Sequence, residues 1–429
     1  MAPASNDNQP HVWLTTRSVE DVQCSVSVGN TTQHATISRD SPIDVTLPEY
    51  PPYTVRIGSA GKTNKTIIIT SSDDVTVYAI DNIECCGDAF LVLPTEHLGT
   101  EYYVVSYAPY SRAFPSFFIA TALVEETVVN VLTRTGQAHS VVLKPYESYR
   151  FNADEDLTST RIRSDHPISV TSGVLSRVPV GVESFDGMIV NLLPVNQWGQ
   201  RFVMAPYLER TCGYVYRVLS SDQSTVRVTI SSEAIVLTVD LDAADFYEGN
   251  GLGDTMTTIT ADHPVLVVQY MKGRYACFGD NPLGDPTIVI IPPVESTYTN
   301  VTFPVIDTTY YYGRSHEYHF INVIINCDQV DGLMYDGSTL ITSWNRLSTV
   351  DGSICAIRGQ VPTGIHSVVH TNPLATFTVM VYMMHGYHDY AYSFQVGFEP
   401  KGGYNFYRFS LISFNSISDW FNYIRFVFW

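Results

Sequence analysis

Two landmarks recur in order along this chain, and that self-similarity restricts its architecture more than any other feature. The first is an apolar run ending in proline, followed by a polar or glycine turn. It reads LVLP at 91–94, with Leu98-Gly99 after it, and NLLP at 191–194, with Trp198-Gly199 after it; a third copy, IVIIPP, ends at Pro293. The second places proline at the head of a β-branched stretch: SDHPISV at 164–170, ADHPVLV at 261–267 and TNPLATFTV at 371–379, with a degenerate form, SSDDVTVY, at 71–78. Proline can open a strand but cannot donate to a ladder from its interior, so each second landmark is expected to be a turn that starts a strand. Pro94, Pro194 and Pro293 lie 100 and 99 residues apart, and Pro167, Pro264 and Pro373 lie 97 and 109 apart. The chain is therefore expected to consist of tandem modules of about 100 residues.

Between the landmarks run short alternating segments such as TVVNVLT, STVRVTI and HFINVII, bounded by turn clusters and with little 3.6-residue periodicity. That pattern indicates an all-β fold of β-sandwich modules. The 28 Tyr and 20 Phe agree, because aromatic side chains suit a half-buried pleated surface. The expected division is an incomplete module at 10–90, full modules at 91–187, 188–285 and 286–400, and an aromatic tail at 401–429 to which no structure is assigned. Each second landmark leads directly into the next first landmark, so the modules should be closely packed, without flexible linkers.

A formal net charge of −19 opposes nucleic acid and anionic lipid as partners, since both are bound by Lys and Arg. In the tail, Arg408, Asp419 and Arg425 interrupt the aromatic run, which argues against a membrane span. The first residues, MAPASNDNQPHVW, do not read as a signal peptide.

Seven cysteines, Cys24, Cys85, Cys86, Cys212, Cys277, Cys327 and Cys355, include no CxxC pair, which favours disulfides over a zinc site. Their positions suggest Cys212 with Cys277, Cys327 with Cys355, and Cys24 with Cys85 or Cys86, among the 15 ways of pairing six cysteines. Asn30, Asn64 and Asn300 occupy glycosylation sequons, at a frequency that chance also produces in so Ser/Thr-rich a chain.

The repeat supplies a test for candidate sites: a polar residue recurring at one module position is structural, whereas one confined to a single module is a functional candidate. The acidic run Asp240, Asp242, Asp245 and Glu248 has calcium-loop chemistry, but LDAADFY at 241–247 aligns with LKPYESY at 143–149, which favours a strand-turn-strand element. His166 and His263 share the Asp-His-Pro turn. His316 with His319, and His385 with His388, are three apart, poor strand geometry for one metal. No nucleophile elbow, phosphate loop or HExxH helix appears, and neither catalysis nor a cofactor is expected. Tyrosines cluster late in the chain. Tyr310, Tyr311, Tyr312, Tyr387 and Tyr390 are the partner-contact candidates, weighed against burial as strand and corner residues.

The segment CFGDNPLGDPTIVIIPPVEST at 277–297 resembles the Asp-Pro, aliphatic and Pro-Pro-Val-Glu signature of the IgG-Fc-binding protein N-terminal domain family. INVIINCDQVDGLMYDGSTL at 321–340, Trp344, and VPTGIHSVVHTNPLATFTVMVYMMHG at 361–386 continue the resemblance, which covers most of 75–398. It implies a secreted, cysteine-bonded, non-enzymatic protein-binding or adhesion module associated with mucus, cell surfaces or innate defence, with an extracellular protein or glycoprotein as partner. The alternative is a carbohydrate-binding or carbohydrate-active sandwich, which a groove lined by aromatic rings and facing carboxylates would favour.

Overall fold

A computed structural model describes residues 10–39, 41–47, 60–64, 66–81, 88–123, 125–221, 225–277, 283–306, 317–337, 339–340, 344–386, 391–396 and 409–413. Their regular structure is antiparallel β, punctuated by short 3-10 turns. The first sheet pair uses β1 (Pro10–Thr15), β2 (Val22–Val28), β3 (Thr31–Ile37), β4 (Ile43–Thr46), β6 (Thr66–Ser71), β7 (Thr76–Asp81) and β8 (Asp88–Val92), whereas β5 (Gly61–Thr63) pairs with Ser148–Arg150 at the edge of the next sheet. Strands β4-β1-β7-β8 form one layer, and β3-β2-β6 form most of the other.

The second system contains β9 (Gly99–Tyr103), β10 (Ser116–Ala122), β11 (Thr127–Leu132), β12 (Ala138–Leu143), β13 (Ser148–Ala153), β14 (Arg161–Ser176) and β15 (Asp186–Asn191). Its organiser is β14, 16 residues long. The first half of β14 pairs with β9 and β11, and the second half with β10 and β15, so one strand feeds both layers. The third system repeats this plan with β16 (Gly199–Met204), β17 (Tyr214–Ser220), β18 (Val226–Ser231), β19 (Val236–Leu241), β20 (Phe246–Gly251), β21 (Thr257–Met271) and β22 (Thr287–Ile291), with β21 as its long strand.

Here the Asp-His-Pro landmark differs from its sequence reading. It does not turn the chain: it lies within β14 and β21, where the register slips between Arg163 and Ile168 and, in the third system, opposite Gly199–Arg201. A proline without an N–H fits the gap in the ladder, and the aspartate fills it from the side. Asp165 Oδ1 accepts the Val128 N–H at 2.8 Å, and Asp262 Oδ1 accepts the Arg227 N–H at 2.9 Å.

The fourth system has β23 (Asn300–Val305), β24 (Glu317–Asn326), β25 (Leu333–Tyr335), β26 (Thr339–Leu340), β27 (Asn345–Ser348), β28 (Ile354–Val361), β29 (Gly364–His370), β30 (Phe377–His385) and β31 (Ala391–Gln395). In this copy the landmark does break the strand, separating β29 from β30, which lie in different sheets. A last strand, β32 (Phe409–Ser413), pairs with Thr66–Thr70 along the free edge of β6. Part of the aromatic tail is thus hydrogen-bonded into the first sheet pair.

Burial separates outer strands from inner ones. The alternating β11 and β18, TVVNVL and VRVTIS, bury every second side chain. By contrast β10, β15, β17 and β22 are buried along their whole length. Strands covered on both faces need continuous apolar runs, and here the second face is covered by a neighbouring sheet system. The large apolar cores are each shared between neighbours. Phe117, Ile119, Leu175 and Ile189 of the second system enter the core of the first, and Val215, Leu266 and Tyr270 of the third enter that of the second. Phe320, Met380 and Tyr382 of the fourth join the third, and Tyr78, Ile80 and Ala89 of the first join the fourth. The sequence of shared cores closes on itself, so the four systems are arranged in a ring.

Cys212 is bonded to Cys277 and Cys327 to Cys355, closing segments separated by 65 and 28 residues. Among the described residues Cys24 has no disulfide partner, and its thiol is free and buried in the first core. Cys24 sits in β2 opposite Ala35 and Ser71, surrounded by ladder partners and apolar side chains. Cys85 and Cys86 lie outside the described residues.

Candidate binding site

At the centre of the ring stand the four strands that close each system. β8 packs on β15 and β31, and β22 packs on the same two strands. Between them lies an axial cavity of about 40 Å³, lined from all four by residues such as Phe90, Val190, Ile288 and Phe394.

Three of these closing segments begin with an aspartate, Asp88, Asp186 and Asp285, and all three are buried. Each of the first two bonds its own next residue: Asp88 Oδ1 accepts the Ala89 N–H at 2.8 Å and Asp186 Oδ1 the Gly187 N–H at 2.7 Å. Their second oxygens reach across the ring. Asp88 Oδ2 accepts from the Ile189 N–H of β15 at 2.7 Å, and Asp186 Oδ2 from the Ala391 N–H of β31 at 3.0 Å. Thr287 of β22 donates to Asp88 Oδ1 at 3.4 Å and lies 2.8 Å, hydroxyl to hydroxyl, from Ser393 of β31. Asn191 Oδ1 accepts the Leu93 N–H at 2.9 Å, adding a further clasp between first and second systems.

Burial raises the Asp88 carboxyl well above the ordinary carboxylate range, against the opposing effect of the bonds from Ile189 and Ala89. Asp186 is raised in the same direction by burial, and further by the charges of Asp285 and Asp88. Sequence reasoning missed this set, although its own test would have found it: the aspartates are 98 and 99 residues apart and begin comparable strands. By that test the role is structural.

Between the second and third systems the clasp is cationic. Arg217 of β17, its side chain 5% exposed, donates to Asp156 Oδ2 at 2.8 Å, Glu248 Oε2 at 2.9 Å, the Ser106 carbonyl at 2.9 Å and Thr158 Oγ1 at 2.7 Å. Its guanidinium lies 4.4 Å from the Tyr107 ring centre and 4.6 Å from that of Phe246. Burial alone would lower the guanidinium pKa, but Tyr270, Asp156 and Glu248 outweigh it and hold the group protonated.

Between the third and fourth systems the packing is looser. A cleft of about 250 Å³ opens there, bounded by Val203 of β16, Gln269 of β21, Ile291 of β22, Asn322 and Ile324 of β24, and Thr378 of β30. Neither an aromatic ring nor a carboxylate is among the described residues that line it. That arrangement lacks the features by which a sugar-binding groove would be recognised.

The remaining candidates separate cleanly. Asp240 pairs with Arg227, Asp245 with Arg134 and Glu248 with Arg217, so the acidic run is spread along a hairpin rather than converged on a cation. Among the described residues no group of His, Cys, Asp and Glu could hold a metal ion. His166 and His263 bond their neighbours Asp165 and Asp262. Tyr310, Tyr311, Tyr312, Tyr387 and Tyr390 lie outside the described residues, as do His316 and His388. Tyr392, near the last of these, is buried, with its hydroxyl accepting the Ile306 N–H. Asn30, Asn64 and Asn300 are exposed.

These sheets, shared cores and disulfides define a multi-unit, all-β, disulfide-bonded protein. A family model described as "IgGFc binding protein" matches residues 88–383, more than half of the chain, and the chain belongs to that family. A human IgGFc-binding protein is 24% identical over 241 residues, covering 54% of this chain and 4% of the relative's length. Among solved structures, a mutant form of the major pilin of Streptococcus pyogenes is 10% identical, with 60% of this chain and 93% of that one covered and a TM-score of 0.15. A bacterial ice-binding adhesin is 8% identical, with 67% and 90% covered and a TM-score of 0.11. Scores so low support no comparison of architecture.

Proposed function

We propose that this chain is an extracellular, non-enzymatic protein-binding or adhesion module that acts at mucus or cell surfaces in defence. The family match carries the reading, since the family is described by its binding of IgG Fc. Two disulfides support an oxidising compartment, where such bonds persist. Exposed Asn30, Asn64 and Asn300 are accessible to glycosylation. The chain spans only a small part of the human relative, so the partner is proposed by class: an extracellular glycoprotein, of which IgG Fc is one candidate. In this reading the ring is a rigid scaffold, its four units divided near residues 90, 187 and 285, and its outer loops and edges make the contacts.

Biolayer interferometry of the disulfide-intact chain against IgG Fc and purified mucin tests the proposal. Saturable binding to either, lost after reduction and alkylation, is expected. Failure of the folded, oxidised chain to bind either class, or substrate turnover by it, would count against the reading.

A further inference from the structure

We infer that the outer edge of β6 is a strand-binding site whose occupant is the chain's own C-terminal segment, with residues 409–413 entering the first sheet system as its missing leading strand and locking the ring shut. This goes beyond the binding reading and is independent of what the outer loops contact.

One place in each of the last three systems is filled by the strand that follows a first landmark. In the second system Ile162 of β14 lies between Val131 of β11 on one side and Tyr102 of β9 on the other. In the third, Ile259 of β21 lies between Ile230 of β18 and Phe202 of β16. In the fourth, Val368 of β29 lies between Tyr335 of β25 and Val301 of β23. The outer strands β9, β16 and β23 each arrive from the closing strand of the preceding system, β8, β15 and β22. In the first system Ile69 of β6 is paired with Val26 of β2 on one side, and the other side is filled by Ser410 of β32. That strand follows β31, the closing strand of the fourth system, and pairs antiparallel like the other three. The punctuation recurs as well: Pro400 stands between β31 and β32 as Pro94, Pro194 and Pro293 stand between the earlier pairs. The tail strand thus holds the place of β9, β16 and β23, and the plan that carries the chain from each system to the next returns it from the fourth to the first.

An open edge would be costly at this position. Thr66, Ile67 and Ile69 of β6 are buried, and β32 lies against β8, β10 and β14 as well as β6, at the junction of the first and second systems. Backbone N–H and C=O groups in such a junction need partners, and a bare edge there would be a template for any extended chain. Main-chain pairing is also what gives an added strand its affinity for a sheet edge. At the fourth–first junction the core shared with Tyr78, Ile80 and Ala89 is thereby joined by a strand that crosses from one system into the other.

Two experiments on the full chain test this. Leu411 is paired with Ile68, and residues directly opposite in an antiparallel ladder stand about 4.5–5.5 Å apart, Cα to Cα, within reach of a disulfide. Mild oxidation of the Ile68→Cys, Leu411→Cys variant should therefore link the two positions within one chain, as read by peptide mapping. Ile68→Cys with Ser413→Cys, two places along the strand, should give at least tenfold less link. The second experiment vacates the site. Successive N–H groups of a strand point to opposite edges, so replacing both Ser410 and Leu411 by proline removes one that β6 needs. A fluorescent peptide of residues 405–417 should bind this variant saturably and at least tenfold tighter than it binds wild type, whose site is filled, whereas the peptide carrying both prolines should not bind. A link between two copies, equal linking at Leu411 and Ser413, equal peptide uptake by wild type and variant, or no uptake by the folded proline variant would each overturn the inference. If the proline variant fails to fold, the cross-link decides the matter by itself.

Discussion

Replacing Arg217 with methionine removes the cation that joins the second and third sheet systems while retaining most of the side chain's apolar volume. In the native protein this group makes charge-assisted bonds to Asp156 and Glu248 and two further bonds to Ser106 and Thr158. Removing one partner of a buried ion pair costs about 3–5 kcal/mol, largely because the other partner is left unpaired. Here the carboxylates are 24% and 38% exposed, so water recovers part of their loss and the lower end applies. The expected destabilisation is about 3 kcal/mol, or roughly 6–12 °C in midpoint if the two systems unfold together. Guanidinium denaturation of wild type, Arg217→Met, Asp156→Asn and the double variant would measure it, with a coupling of about 1 kcal/mol or more in the cycle. If Arg217→Met lay within about 0.5 kcal/mol of wild type, the clasp would contribute nothing to the ring and the reasoning would fail.

The buried aspartates give a pH dependence of defined sign. Asp88 and Asp186 are raised above the unfolded value near 4. The folded state therefore keeps protons that the unfolded chain releases, and stability is greatest below that range and declines as pH rises through the folded-state values. Calorimetry across this range should show the decline, and Asp186→Asn should flatten it while lowering the midpoint, because one backbone N–H loses its acceptor. Cys24, whose thiol burial pushes up to about 11, should resist iodoacetamide in the native protein and react only after denaturation, as read by peptide mapping. Removing the Cys327–Cys355 bond with paired alanines should cost about 2–4 kcal/mol in denaturation, whereas an unchanged midpoint would mean that the bond does not form in solution. Truncation before Phe409 should speed amide exchange along Thr66–Ser71, since β32 pairs with that edge; unchanged exchange would show that the pairing is not populated.

The repeat and the alternating strands made the all-β class legible, because both periods are properties of neighbouring residues. What escaped was long-range. Asp-His-Pro looks like a turn because proline interrupts a ladder, yet at Pro167 and Pro264 the partner strand slips register and the long strand continues. Asp88, Asp186 and Asp285 carry an in-register signal, but their role appears only when the closing strands meet at the axis. The tyrosine candidates were chosen from composition, which does not distinguish a surface ring from a buried one such as Tyr392.

The central claim, an extracellular disulfide-bonded binding scaffold, is tested most directly by intact mass and peptide mapping of the chain secreted from eukaryotic cells behind a supplied signal peptide. The account predicts linked peptides for Cys212–Cys277 and Cys327–Cys355, a free Cys24, and glycan on Asn30, Asn64 or Asn300. A folded, soluble product with all four of those disulfide cysteines reduced and no glycan would contradict it.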